Sequence, residues 1–313
     1  MSGRRDDLVL ITGDDPESLA RAVAAALGEA IPWVATGDER AASATVWFAS
    51  SLPPASTLRL PALRWIHCAW AGVDRWIGRP EWSQGVTLTR TIADLPRRMA
   101  DYTLGYLLAM ELDVVRSRRQ QEEKRWERWT AGTFGGKTML IVGYGEIGRV
   151  LGAGARGLGL RVFAVRRGPV SASERSDGLG TADELPGFLA GADYVVNLLP
   201  ATPETESFWN ASRFAAMKPG AVFVNVSRGR LVDDEALLAG LERERPARAI
   251  LDVFRKEPLP AESPYWSHPR VWVTAHVAGL GTDGTEGAAF AENWRRWKAG
   301  QPLAHVVDRA RGY

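Results

Sequence analysis

The chain has 313 residues, too long for one ordinary α/β domain and suited to two. Its 39 basic and 37 acidic side chains leave a net charge of +2, which offers no electrostatic footprint for nucleic acid or another polyanion. The single cysteine, Cys68, excludes an intrachain disulfide framework or a cysteine metal cluster and fits a reducing compartment.

Leu8 to Thr12 reads as a first strand. It is too short an apolar run for a signal-peptide core, and no run approaches membrane-spanning length, so a cytoplasmic protein is expected. Gly13-Asp14-Asp15-Pro16 is the turn after it, and Pro16 to Leu27 reads as a helix with Asp14 or Asp15 as N-cap. Further short strands are expected at Pro32 to Thr36, Ala44 to Ala49, Leu63 to Ile66 and Thr87 to Thr91. This alternation predicts a small parallel α/β domain. The small residues Ala71 and Gly72 follow one of these strands at its C-terminal end, where α/β sheets bind ligands.

A long helical stretch is expected from about Leu95 to Trp129, with Met99, Tyr102, Tyr106 and Met110 on one face. Its second half, from Arg116, is heavily charged and reads as a solvated face. Thr130 to Gly136 is the expected linker into the next domain.

Met139 to Val142 is an apolar run that reads as a fully buried parallel strand. Gly143, Gly145 and Gly148 follow at G-x-G-x-x-G spacing and open a helical pattern, with Tyr144, Glu146 and Ile147 between them. In that context the first glycine permits the tight turn, the second lets backbone approach a pyrophosphate, and the third lets helix and strand pack closely. The phosphates then sit on unpaired N–H groups at the helix start. Strands at Arg161 to Val165, Tyr194 to Leu199, Ala221 to Val226, Arg248 to Asp252 and Val271 to Thr274 complete a doubly wound pattern, with a helix at Asp233 to Arg243. A last helix, Ala288 to Ala299, is expected to return to the first domain.

The second strand of this domain ends in Arg166-Arg167-Gly168. An acidic residue there would accept the ribose hydroxyls of NAD, whereas two guanidiniums suit a 2′-phosphate. The cofactor expected is NADP, with NAD as the alternative. Arg228, Glu257 and His276 all follow strand ends on the edge where the cofactor lies. An arginine fork matches a carboxylate, and a histidine can deliver or accept the proton that accompanies hydride transfer. A carboxylate bonded to the other ring nitrogen fixes the tautomer and favours the imidazolium.

Six motifs carry a family resemblance. They are Gly143-Tyr-Gly-Glu-Ile-Gly148, Asn197-Leu-Leu-Pro-Ala-Thr-Pro-Glu-Thr205, Asn225-Val-Ser-Arg-Gly-Arg-Leu-Val-Asp-Asp234, Leu251-Asp-Val-Phe-Arg-Lys-Glu-Pro-Leu-Pro260, Trp266-Ser-His-Pro-Arg270 and Thr274-Ala-His-Val-Ala278. The chain resembles the D-2-hydroxyacid dehydrogenases, and most closely the bacterial glyoxylate/hydroxypyruvate reductases of the A type. The tail, Val307 to Tyr313, is like that subgroup's. The resemblance implies an α/β fold of two Rossmann-like doubly wound domains with a cleft between them. Residues 1–100 with 281–313 would form a flavodoxin-like substrate domain, and residues 101–280 the dinucleotide-binding domain.

It also implies roles. Arg228 would bind substrate and polarise its carbonyl, His276 would be the acid/base, and Glu257 its partner. Gly143, Tyr144, Gly145, Glu146, Ile147, Gly148, Arg166, Arg167, Leu199, Pro200, Thr205, Val226, Ser227, Asp252, His276, Ala278 and Gly279 would line the cofactor. Backbone N–H groups around Ala71 and Gly72 would hold the substrate carboxylate, with Trp47 and Trp70 as pocket walls. The expected substrate is a small 2-oxo acid reduced to the 2-hydroxy acid. No metal, nucleic acid or membrane partner is expected. A homodimer is, built on the dinucleotide domain and the arm from Arg116 to Trp129. Ala275 stands where the family often has proline, and Asp101 where it often has glutamate, so fine geometry can differ. The alternative from another class is a dinucleotide-sensing regulator that keeps the fold without the activity. Formate oxidation is disfavoured because formate dehydrogenases resemble this family but place a glutamine where Glu257 stands.

Overall fold

The computed structural model describes residues 7–54, 59–82, 84–170, 178–281 and 284–313. The chain divides into two compact units, Met1–Leu95 with Gly281–Tyr313, and Pro96–Leu280.

The first unit is a five-stranded parallel sheet of β1 (Val9–Thr12), β2 (Trp33–Val34), β3 (Val46–Ala49), β4 (Trp65–Cys68) and β5 (Thr87–Arg90). Its order, β2-β1-β3-β4-β5, is the flavodoxin-like 2-1-3-4-5 arrangement. Every residue of β1, β3 and β4 is buried, because a parallel sheet is covered on both faces. The helix Pro16–Leu27 starts where Asp15 Oδ1 accepts the Ser18 N–H at 2.9 Å, and ends at left-handed Gly28. The helix Thr285–Lys298 packs on it closely, so a Cβ on Gly287 would come within 2.6 Å of the Ala22 Cβ. The C-terminal segment pairs along β5, where Leu88 O accepts the Val307 N–H at 2.8 Å, and so covers an edge left open by the sheet.

His67 sits at the centre of this core, 1% exposed. Its Nδ1 lies 2.8 Å from Thr89 Oγ1 and its Nε2 3.1 Å from Thr91 Oγ1, partners enough for a neutral ring. Burial, and secondarily the charge of His305, push its pKa down from 6.5 to about 3. The unfolded chain therefore takes a proton near pH 6.5 that the folded chain refuses. Stability is fully present above that pH and falls by about 1.4 kcal/mol per pH unit below it, levelling off near pH 3. Between pH 6.5 and 4.5 the melting temperature of the wild type is expected to fall more steeply than that of His67→Gln. Parallel slopes would remove His67 as the cause.

The second unit is a seven-stranded parallel sheet of β6 (Thr138–Val142), β7 (Arg161–Arg166), β8 (Leu179–Thr181), β9 (Tyr194–Asn197), β10 (Val222–Asn225), β11 (Arg248–Leu251) and β12 (Val271–Val273). The order β12-β11-β10-β9-β6-β7-β8 is the doubly wound 3-2-1-4-5-6 arrangement with one more strand beyond the sixth. The apolar runs expected as strands lie at its centre, and all five residues of β6 are buried. β8 was not expected. Only three residues long, it carries too little pattern to read as a strand.

The expected helix from Leu95 to Trp129 is corrected. It is two helices, Leu95–Glu111 and Val114–Glu122, and residues 125–132 are in no helix. Asp113 adopts φ 51, which ends the first helix, and its carboxylate accepts the Arg116 N–H at 3.3 Å to start the second. Beyond Glu122, Arg125 pairs with Glu123 and Glu127 across a bend rather than along a helix face. No helix among the described residues is long and apolar enough to cross a membrane.

Candidate active site

The glycine loop leaves β6 at Gly143, whose φ of +105 needs a glycine. A Cβ there would also come within 2.6 Å of the Leu198 carbonyl. Gly145 caps the helix Glu146–Gly157, and nothing lies within 4 Å of where its Cβ would stand. A Cβ on Gly148 would stand 2.9 Å from Gly143 O, so only a glycine lets the helix rest this closely on the turn. The Tyr144 ring lies along the helix against Gly148 and Gly152. A tight turn, open space over the middle glycine and a helix N-terminus behind it are the parts a pyrophosphate needs, so these residues fit a dinucleotide. At the end of the neighbouring β7, the Arg166 Nη2 donates to Pro169 O at 2.5 Å. Arg167 is exposed, with Glu204 3.8 Å away.

Leu199, Pro200 and Thr205 follow β9. The Thr205 hydroxyl donates to Pro200 O at 2.7 Å and accepts the Thr202 N–H at 2.8 Å, so it braces its own turn. Val226 is buried, and the Ser227 hydroxyl donates to Leu199 O, tying the turn after β10 to the turn after β9. Ala278 is buried and Gly279 half-buried.

Arg228, Glu257 and His276 come from the C-terminal ends of β10, β11 and β12, three consecutive strands of one sheet. Arg228 is presented by two buried amides. Asn197 Nδ2 donates to Asn225 Oδ1 at 2.9 Å, and Asn225 Nδ2 donates to Arg228 O at 3.1 Å. The motifs contained both asparagines, but at the sequence level they carried no role. Adjacent strands each ending in asparagine was the signal. The Arg228 Nη1 donates to Ser227 O at 2.7 Å. Next to it, Gly229 rests on the backbone of Phe254, which lies between Asp252 and Glu257. Glu257 Oε1 accepts the Phe254 N–H at 2.9 Å, and Oε2 stands 2.8 Å from His276 Nδ1. Nδ1–H therefore donates to Glu257, and Nε2 is left as the ring atom for a reacting group. The imidazole is 47% exposed, a side chain presented rather than packed. The buried Asp252 carboxylate holds the turn on which His276 sits, accepting the N–H groups of Val277 and Ala278 at 2.8 and 2.9 Å.

Trp47, Trp70, Ala71 and Gly72 belong to the first unit. Trp47 has no exposed surface; its indole N–H donates to Thr12 Oγ1 at 2.9 Å and its ring packs edge-on to Trp76. It is a core residue here, which removes it from the pocket walls. Trp70 is 46% exposed, at the edge where β4 ends, and its indole donates to Ser50 O at 2.8 Å. Ala71 O accepts Arg90 Nη1 at 3.2 Å, so the loop is held from β5. Among the described residues, no group of three or more His, Cys, Asp or Glu is placed to hold a metal ion.

A family model for the NAD-binding domain of D-isomer specific 2-hydroxyacid dehydrogenases matches residues 104–278. The glyoxylate/hydroxypyruvate reductase A of Serratia proteamaculans is 32% identical over 288 residues, covering 88% of this chain and 90% of the relative. Among solved structures, a D-isomer specific 2-hydroxyacid dehydrogenase of Xanthobacter autotrophicus Py2 in complex with NADPH and MES superposes with a TM-score of 0.86 at 31% identity, over 100% of both chains. An NADPH-dependent glyoxylate/hydroxypyruvate reductase of Sinorhizobium meliloti, in complex with NADP and sulfate, gives 0.86 at 26% identity, over 98% of this chain and 100% of the other. The doubly wound sheet, its glycine turn and the strand-end triad, together with these matches, place the chain in the D-isomer specific 2-hydroxyacid dehydrogenase family.

Proposed function

We propose that this member of the family reduces a small 2-oxo acid, glyoxylate or hydroxypyruvate by preference, with NADPH. The observation that carries the reading is the Glu257–His276 pair, 2.8 Å apart, beside the segment that bears Arg228 and on the sheet that bears the glycine turn. The chain is an NADP-using oxidoreductase; the substrate and the role of each side chain are what is proposed.

When bound, the dinucleotide supplies the hydride. Arg228 takes the substrate carboxylate in its fork and draws negative charge toward itself as the carbonyl oxygen becomes an alkoxide. His276 gives its Nε2 proton to that oxygen while Glu257 keeps Nδ1 engaged, so the ring neither rotates nor changes tautomer. Arg166 and Arg167 take the 2′-phosphate, with Arg167 exchanging its loose partner Glu204 for a stronger anion. The same family resemblance points to a homodimer built on the dinucleotide domain and the arm from Arg116 to Trp129, where Trp126 is exposed; Leu112, Val114 and Val115, just before it, are exposed too, and sedimentation velocity tests the assembly.

Oxidation of NADPH and NADH is the direct test, side by side with glyoxylate, hydroxypyruvate and phenylpyruvate. Turnover is expected with the two small acids, with kcat/KM for NADPH at least about tenfold above that for NADH. Arg166→Ala with Arg167→Ala should abolish that preference by raising KM for NADPH alone. Measurable dinucleotide binding without turnover of any 2-oxo acid would instead favour a regulatory protein.

A further inference from the structure

We propose that Tyr102 and Thr274 are positioning residues for His276, acting through the buried carboxylate of Asp252. The proposal rests on His276 being the acid/base and names the device that aims it.

His276 lies in a turn after β12, outside any regular element, with φ 54, a conformation that L side chains avoid. The turn persists because its donors end on one residue. Asp252 is 1% exposed. Its backbone oxygen accepts the His276 N–H at 2.8 Å, Oδ1 accepts the Val277 N–H at 2.8 Å and the Thr274 hydroxyl at 2.6 Å, and Oδ2 accepts the Ala278 N–H at 2.9 Å. Hydrogen bonds to a buried carboxylate are among the stronger kind, and losing one leaves a desolvated charge under-satisfied.

The direction of the next bond follows from proton counting. Thr274 has one hydroxyl proton and gives it to Asp252, so Tyr102, 2.5 Å from Thr274 Oγ1, must be the donor. The chain therefore runs one way, from Tyr102 O–H to Thr274 O–H to the carboxylate. Tyr102 lies on the helix Leu95–Glu111, its ring 4.4 Å from that of Tyr106, which in turn meets Trp272 of β12 edge-on. Those contacts fix the tyrosine. Burial raises its pKa well above the usual tyrosine value, so it remains a protonated donor through the working pH range. Tyr102 and Thr274 reach the His276 turn through Asp252, while the imidazole itself bonds to Glu257. Their effect on catalysis is to fix where the turn sets the imidazole, and a misplacement of about 1 Å can cost on the order of 10²-fold in rate.

The test uses the full chain with NADPH and glyoxylate and four variants, His276→Asn, Thr274→Val, Thr274→Ser and Tyr102→Phe. Thr274→Val removes the hydroxyl at nearly constant shape, and kcat is expected to fall about 10- to 100-fold with KM and the NADPH Kd within about threefold. Thr274→Ser restores the hydroxyl and should return kcat to within about threefold of the wild type. Tyr102→Phe should lower kcat about fivefold. The solvent deuterium isotope effect on kcat should rise in Thr274→Val, because proton delivery becomes slower; a general loss of packing would not raise it. Amide exchange over residues 274–279 should quicken in Thr274→Val and not in Thr274→Ser. Wild-type kcat or wild-type exchange in Thr274→Val, or an equal loss in Thr274→Ser, overturns the proposal. Full activity in His276→Asn, or a wild type that reduces no 2-oxo acid, overturns the acid/base reading and the positioning role with it. An inactive His276→Asn beside a wild-type-like Thr274→Val sinks the positioning role alone.

Discussion

Replacing His276 by asparagine is expected to lower kcat for 2-oxo acid reduction by about 10²- to 10⁴-fold, the range spanned by a positioned general acid. Asparagine is the informative choice because the backbone at this position has φ 54, which asparagine tolerates better than alanine does. Any loss then reports chemistry rather than strain. Stability should barely change, since the imidazole is 47% exposed and contributes little to the core. The NADPH Kd should stay within about threefold, because the main-chain bond from the residue 276 N–H to Asp252 O does not depend on the side chain. Steady-state kinetics with a binding titration reads all three quantities. An unchanged kcat removes His276 from the reaction. A loss confined to NADPH binding would make it a cofactor contact only. Glu257→Gln should lower activity less, because the amide oxygen still accepts from Nδ1–H, although the charge is lost and the NH2 is turned toward the Phe254 N–H that Oε1 now accepts.

The parallel strands were readable because a strand covered on both faces is a continuous apolar run, as in Met139 to Val142, and needs no periodicity to be seen. The glycine turn was readable because its three glycines answer three separate steric demands, each now visible as a neighbour or an open space. The break at Asp113 was not readable. Helical periodicity continues on both sides of it, and only the left-handed φ of one aspartate divides the stretch. At the site, Arg228, Glu257 and His276 were legible as chemistry at strand ends. The residues that hold them were not. Tyr102 bonds Thr274 across 172 positions, and Asn197 bonds Asn225 across 28, so neither contact leaves a local pattern. Trp47 failed as a pocket wall for the same reason. Its indole is spent on Thr12, a partner 35 positions away.

The largest effect of a single methyl group is expected at Gly229. Its backbone is not left-handed, so a turn requirement does not explain the glycine. Space does. A Cβ there would stand 1.8 Å from the carbonyl carbon of Phe254, 2.1 Å from its oxygen and 2.3 Å from its Cα. These are backbone atoms, so no side chain can swing aside. The two segments must separate, and they are the ones that carry Arg228 on one side and Glu257 on the other. Arg255 resists that separation, donating to Val232 O at 2.7 Å and to Arg230 O at 3.1 Å across the same seam, and to Glu206 and Ser207 at 3.0 and 2.5 Å beside it. Gly229→Ala is therefore expected to lose about 1–3 kcal/mol of stability or more through overpacking. Its kcat/KM should fall on the order of 10²-fold when measured well below the melting temperature. Gly187→Ala is the control. It lies in the helix Leu185–Gly191 with nothing within 4 Å of its Cβ position, and should be neutral or stabilising by about 0.5–1 kcal/mol. A stable, fully active Gly229→Ala would mean that the register between Arg228 and Glu257 does not govern the rate. A variant that is less stable yet fully active when cold would assign the close approach to folding alone. A folded variant with a low kcat/KM and an unchanged NADPH Kd would show that one missing methyl group keeps the arginine and the histidine–glutamate pair in reach of a single substrate.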